Sequence, residues 1–205
     1  VQNDGTAFNN EVIGGLPASP PGRIGYQVGD EPGLHGDGMT ELLEIEEGIN
    51  AIRQVDPNAL LVVNFSFWAD EFESLLQYYG SEIDGDVFSY DRYSMGYNEH
   101  ETLAQIRRVA LQWNKPYWRY LKSYHDVGTQ NELHPSDYRW TAFLGLLYGY
   151  TGHTWFIYQA NMPHVVASDL FPNQGDLGQA YLDEWLLISD LNQQMENLGR
   201  AITQL

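Results

Sequence analysis

Arg23-Ile24-Gly25-Tyr26-Gln27-Val28-Gly29-Asp30-Glu31-Pro32-Gly33 reads as a strand that runs into a turn. Residues 23–29 carry the strand. Pro32 and Gly33 break it, because proline lacks the ladder N–H and glycine admits turn conformations that strain other residues. From about Met39 the apolar spacing becomes helical. Leu42, Leu43, Ile45, Ile49 and Ile52 form a stripe that runs to Val55, and Asp56-Pro57-Asn58 stops it. The strand-then-helix unit then recurs. Residues 60–65 are a continuous apolar run, as expected of a strand buried on both faces, and a short helix follows over about 69–79. Residues 87–91 make the next strand, with a helix over about 99–113. A strand over 116–121 precedes a helix over 135–150, with Pro135 in its first turn. A strand over 153–158 precedes a Pro- and Gly-containing loop to Gly178 and an amphipathic closing helix over about 179–198.

Strands alternating with helices at this spacing predict an α/β fold, a parallel sheet with helical crossovers. A doubly wound sheet is the alternative, and it would carry a Gly-rich turn after an early strand. Neither G-x-G-x-x-G nor a P-loop is present. The alternation fits a parallel (β/α) barrel. Closure takes eight strands and about five are legible, so residues 23–205 read as a partial barrel, strands four to eight of a TIM-type barrel. Residues 1–22, with Asn, Gly, Ser and the Pro20-Pro21 pair, read as an irregular lead-in. Strands one to three would belong to a missing N-terminal half-barrel. A partial barrel leaves two sheet edges open, which favours pairing with that half or with a second copy of the chain as a homo-oligomer. Such barrels place catalytic groups at the carboxyl ends of their strands, which is where Asp30 and Glu31 fall.

The 205 residues suffice for one domain with a real core, and 43% apolar content is that of an ordinary globular chain. Acidic residues number 28 against 10 basic ones. The resulting net charge of −18 repels phosphate backbones and anionic bilayers, so no nucleic acid and no membrane surface is expected as a partner. Neutral ligands remain open. Aromatic residues make up 14% of the chain, and their faces suit the C–H faces of sugar rings, although most should fill the interface between barrel and helices. The absence of cysteine excludes disulfides, thiolate metal sites and thiol nucleophiles but does not fix the compartment. No segment is long and apolar enough to span a bilayer. The chain opens Val-Gln-Asn-Asp-Gly, with neither a start Met nor a signal-peptide pattern, and is expected to be a mature, trimmed or truncated product. His35-Gly36-Asp37 matches neither zinc nor calcium spacing, so no metal or other cofactor is expected.

Several motifs in order resemble a known family. They are Gly29-Asp30-Glu31-Pro32, then Asp56-Pro57-Asn58 before a strand ending Val63-Asn64, then Asp86-Val87-Phe88-Ser89-Tyr90-Asp91-Arg92-Tyr93. Lys115-Pro116-Tyr117-Trp118, Arg139-Trp140 through Gly149-Tyr150-Thr151-Gly152, and Leu191-Asn192 through Leu198-Gly199 continue the series. Their order is similar to that in clan A, beta-galactosidase-like, (β/α)8-barrel glycoside hydrolases, and the likeness extends over residues 23–200. It implies hydrolysis of O-glycosyl bonds in a neutral oligo- or polysaccharide, with a secreted or periplasmic location favoured. It also implies that Glu31, ending the clan's strand four, is the general acid/base. The clan's nucleophile is a Glu ending strand seven. The corresponding stretch here, Tyr120-Leu121-Lys122-Ser123-Tyr124-His125-Asp126, has none.

Glycoside hydrolysis generally uses two carboxyl groups across the scissile bond, one to protonate the leaving oxygen and one to attack or to activate water. With Glu31 as the acid, Asp91 at the end of an apolar strand is the best second carboxylate, and Asp126 the third choice. The plainer role for Glu31 is to cap the turn or pair with an arginine; for Asp91 it is a salt bridge to Arg92 or a neighbouring arginine, and for Asp126 that of a solvated loop acid. Asp30 would orient the Glu31 loop. Asn64 is placed to hydrogen-bond a sugar hydroxyl or a catalytic carboxylate. Tyr93, Tyr124, His125, Trp155 and Gln159 sit at or beyond strand ends and are candidates to line a sugar site, with ordinary packing as the alternative for each. Besides a hydrolase, the sequence admits a non-catalytic carbohydrate-binding or degenerate barrel, and a structural half-barrel that associates with another chain.

Overall fold

The computed structural model describes residues 24–69, 71–93, 99–123, 125–126, 133–156, 165–166 and 178–202. The lead-in, Tyr124 and Gln159 lie outside these residues. The elements follow the sequence in the expected alternation: β1 (Gly25–Asp30), α1 (Gly38–Val55), β2 (Leu60–Ser66), α2 (Phe72–Glu82), β3 (Val87–Asp91), α3 (Glu99–Gln112), β4 (Trp118–Lys122), β5 (His125–Asp126), α4 (Pro135–Leu147), β6 (Gly152–Phe156), β7 (Val165–Val166) and α5 (Gly178–Ile202).

Five strands are hydrogen-bonded in the order β1-β2-β3-β4-β6. β1 with β2 and β2 with β3 are parallel, and an isolated parallel bridge joins Phe88 to Tyr117 just before β4. The order never reverses. A doubly wound sheet requires a reversal, so the fold is α/β with the topology of a partial (β/α) barrel.

The described residues pack as two compact units. One runs through Arg92 and resumes up to Trp118; the other holds Tyr93 and continues from Arg119. In the first unit, helices α1, α2 and α3 cover one face of β1, β2 and β3. Phe65 of β2, Tyr79 of α2 and Phe88 of β3 are fully buried and meet edge-on or tilted, with centroids 4.9–6.1 Å apart. The Tyr79 hydroxyl donates to the Val87 carbonyl at 2.9 Å, which satisfies the one polar atom of this cluster. In the second unit, Tyr138, Ile188 and Leu191 form one cluster and Leu121, Ala142 and Met195 another, with Trp155 packed against both.

Local chemistry explains the ends of the helices. Asp37 is the N-cap of α1: its carboxylate accepts from the Met39 N–H at 3.1 Å and the Thr40 hydroxyl at 2.9 Å, and these bonds hold its pKa below the usual value. The loop composition of His35-Gly36-Asp37 therefore serves the helix start. Leu42, Ile45, Ile49 and Ile52 are buried as the stripe predicts, but Leu43 is exposed, one helical step off the stripe. α2 begins at Phe72 rather than near Ala69 because Glu71 adopts φ +60°, which no helix continues through. It also runs past Gly80, where a Cβ would lie 2.2 Å from the Trp113 ring, so this glycine is a packing site inside the helix and not its end. β4 starts after Pro116, whose carbonyl accepts from the Phe88 N–H. The segment expected to be only loop contains β7, whose two valines pair antiparallel with β5.

Candidate active site

The geometry at the carboxyl end of β1 begins with a bulge. Gln27 pairs with Val62, and Gly29 with Val63, so Val28 is an extra residue in the ladder. One inserted residue exchanges the faces of everything after it. Gly29 therefore turns toward α1, where a Cβ would lie 2.3 Å from the Ile45 side chain, and only glycine fits. Asp30 turns to the opposite face, level with Asn64 and on the same side as Gln27, whose amide donates to it at 3.0 Å. Glu31 follows at φ +50°, a conformation that costs a non-glycine residue free energy. Its N–H donates to the Asn64 carbonyl at 2.7 Å, and its own carbonyl accepts from the Leu34 N–H. Gly33 is held by a bond to the Glu41 carboxylate at 2.6 Å. The turn that presents Glu31 is thus tied to β2 and to α1.

Asn64 is the centre of the arrangement. It is buried in β2, away from the helix face that Val63 and Phe65 occupy. Its side-chain amide donates to Asp30 at 3.0 Å and to Asp91 at 3.2 Å, while its side-chain oxygen accepts from the Ser89 hydroxyl at 3.2 Å. In-register pairing of Asn64 with Ser89 and of Ser66 with Asp91 puts these four side chains on one face of neighbouring strands. Asp91 is 7% exposed and within hydrogen-bonding reach of the Glu31 carboxyl. Burial, the charge of Glu31 and the hydrogen bond between the two carboxyls push the Asp91 pKa up to about 8. The Asn64 bond acts the other way, and Asp30 adds a further negative neighbour. Asp91 therefore keeps its proton near neutrality beside Glu31.

Of the residues expected from sequence, Asp30, Glu31, Asn64 and Asp91 are brought together here. Arg92 turns elsewhere: its guanidinium lies 4.3 Å from the Phe67 ring centroid and donates to the Thr102 hydroxyl. Tyr93 stacks on Phe156 with centroids 5.5 Å apart. Trp155 belongs to the helix layer of its unit. Its indole N–H donates to Asn192 of α5 at 2.9 Å and its ring packs beside Tyr138, so the packing alternative describes it. His125 lies in β5, paired with Val166 of β7. Two members of the polar face were not singled out from the sequence. Ser89 interrupts an otherwise apolar strand two residues before Asp91, which is the signal that places both on one face. Ser66 ends β2 two residues after Asn64; its hydroxyl is buried and makes no hydrogen bond in the structure.

No protein-family model and no curated protein sequence matches the chain. Among solved structures, it is similar to a provisionally assigned alpha-L-fucosidase from Bacteroides thetaiotaomicron, with a TM-score of 0.56 and 10% sequence identity. The match covers 82% of this chain and 54% of the other, so this chain spans about half the length of that protein. At this identity the likeness is one of fold.

Proposed function

We propose that the chain is the carboxyl-terminal part of a (β/α)-barrel glycoside hydrolase of the clan A type, acting on a neutral glycan with Glu31 as general acid/base. The observation that carries the reading is the carboxyl pair of Glu31 and Asp91 at the ends of β1 and β3, held by Asn64. The fold shared with a provisionally assigned alpha-L-fucosidase supports it, as do the motifs around Gly29-Asp30-Glu31-Pro32. A strained backbone at Glu31 is a further support, since such strain gathers at functional sites.

Asp91 keeps its proton to about pH 8 beside Glu31, which makes it a proton reserve for the acid. The leaving oxygen takes a proton from Glu31, and Asp91 passes its own to Glu31. The anomeric carbon takes the hydroxyl of a water, and the water's other proton restores Asp91. Activity falls as pH rises through about 8, where Asp91 loses that proton.

The test is a panel of unactivated neutral oligosaccharides that includes fucosyllactose and β-galactosyl disaccharides, with Glu31→Gln as control. Loss of turnover by roughly 10²–10⁴-fold is expected in that variant. Turnover that survives it would remove Glu31 from the mechanism. The stretch 120–126, which lacks a Glu, favours a second reading, a carbohydrate-binding barrel without catalysis. That reading predicts glycan binding with no turnover in the parent chain.

A further inference from the structure

Trp68 is 66% exposed, against full burial for Phe65 three residues earlier. An exposed indole in the turn after β2 leaves a large ring face open to a ligand. It is nonetheless held. The Phe67 ring meets it at 69° with centroids 5.7 Å apart, and the Arg92 guanidinium lies 5.8 Å from its centroid. Arg92 is itself buried and bonded to Thr102 of α3, so the support is rigid.

The position of this turn links Trp68 to both members of the carboxyl pair. Arg92 directly follows Asp91 in the chain. On the other side, Ala69 packs against Gly33, two residues from Glu31: a Cβ built on Gly33 would lie 3.3 Å from that of Ala69. Ser66, at the start of the turn, is the in-register partner of Asp91. All of these residues belong to one compact unit. An exposed aromatic ring on the turn after β2, in a chain of net charge −18, disfavours anionic ligands. It suits a neutral ligand with hydroxyls on its rim and an apolar C–H face.

We infer that Trp68 is a stacking platform for a pyranose ring of a neutral oligosaccharide whose adjoining glycosidic oxygen is protonated by Glu31. This rests on the proposed function and deepens it. The substrate then has at least two sugar rings, one beyond the carboxyl pair, and free monosaccharides bind poorly.

Binding is read on the full chain carrying Glu31→Gln, titrated with a panel of neutral tetrasaccharides (cello-, laminari-, xylo- and mannotetraose) and fucosyllactose. Calorimetry and tryptophan emission are followed together. For any sugar that binds, adding Trp68→Ala should weaken affinity by about tenfold, in line with the worth of one aromatic stacking contact. Trp68→Phe should keep most of the affinity and lose the emission change. Equal affinity with Trp68→Ala, in a variant whose melting curve matches the parent, overturns the platform and leaves the hydrolase reading standing. If no saccharide binds to folded Glu31→Gln, both fall.

Discussion

The two faces of β2 and β3 differ although their residues alternate along the same strands. Toward the helices, Phe65 and Phe88 close on Tyr79 in a dry aromatic cluster. On the other face, Asn64 joins Ser89, Asp91 and Asp30 by hydrogen bonds, beside Glu31. The first face converts burial directly into stability. The second buries a carboxyl that would be more favourably ionised in water, and it holds that carboxyl by geometry. Stability and proton chemistry are thus separated by a single residue step along each strand.

Substitutions on the two faces should therefore fail in different ways. Phe65→Ala is expected to have the largest effect on folding, a loss of about 3–5 kcal/mol in urea unfolding, because the cavity it leaves is walled by two other rings. The pH profile of whatever activity survives should keep its alkaline limb. A moved limb would mean that the faces are coupled.

Asp91→Asn tests the opposite face. The folded state keeps the Asp91 proton to about pH 8, while an unfolded aspartate releases it near its ordinary value of 3.8. The folded state binds more protons between those limits, so the contribution of Asp91 to stability is complete below the lower value and is lost as pH rises through the upper one. Replacing it with Asn should flatten this slope and stabilise the protein by about 1 kcal/mol at pH 7. Asn carries no titrating proton to pass to Glu31, so the alkaline limb of activity near pH 8 should be lost. Unfolding curves at several pH values, read beside rate profiles, check both parts. A variant with unchanged slope and limb would show that Asp91 does not hold that proton.

Asp37→Ala should have the smallest effect, a slight loss of stability from the lost cap of α1. It should leave the position of the alkaline limb alone. A larger effect on the limb than on stability would show that the turn carrying Glu31 depends on the start of α1, which Gly33 already touches through Glu41.

Much of this molecule was legible in its residues. β3 was read at its observed bounds, and α1 to within one residue, because turn residues bracket their patterns. Asp30, Glu31, Asn64 and Asp91 could be named as candidates because each is a polar residue at the end of a strand. The bulge at Val28 could not be read, since Tyr26–Gly29 is compatible with an unbroken ladder, and that bulge sets which face Asp30 takes. Trp68 was equally silent, because an aromatic residue in a turn has no periodicity to report its exposure.

Local pattern by itself determined the alternation of strand and helix, because that depends on burial periodicity and turn chemistry within a few residues, and the alternation pointed to a parallel sheet; the unreversed strand order that makes it a partial barrel is a tertiary outcome. Only the tertiary structure decided that Asp91 meets Glu31, that Asn64 joins them, and that Trp155 serves packing. Those outcomes depend on strand register and on side-chain direction across neighbours far apart in the chain, where a shift of one residue reverses every face.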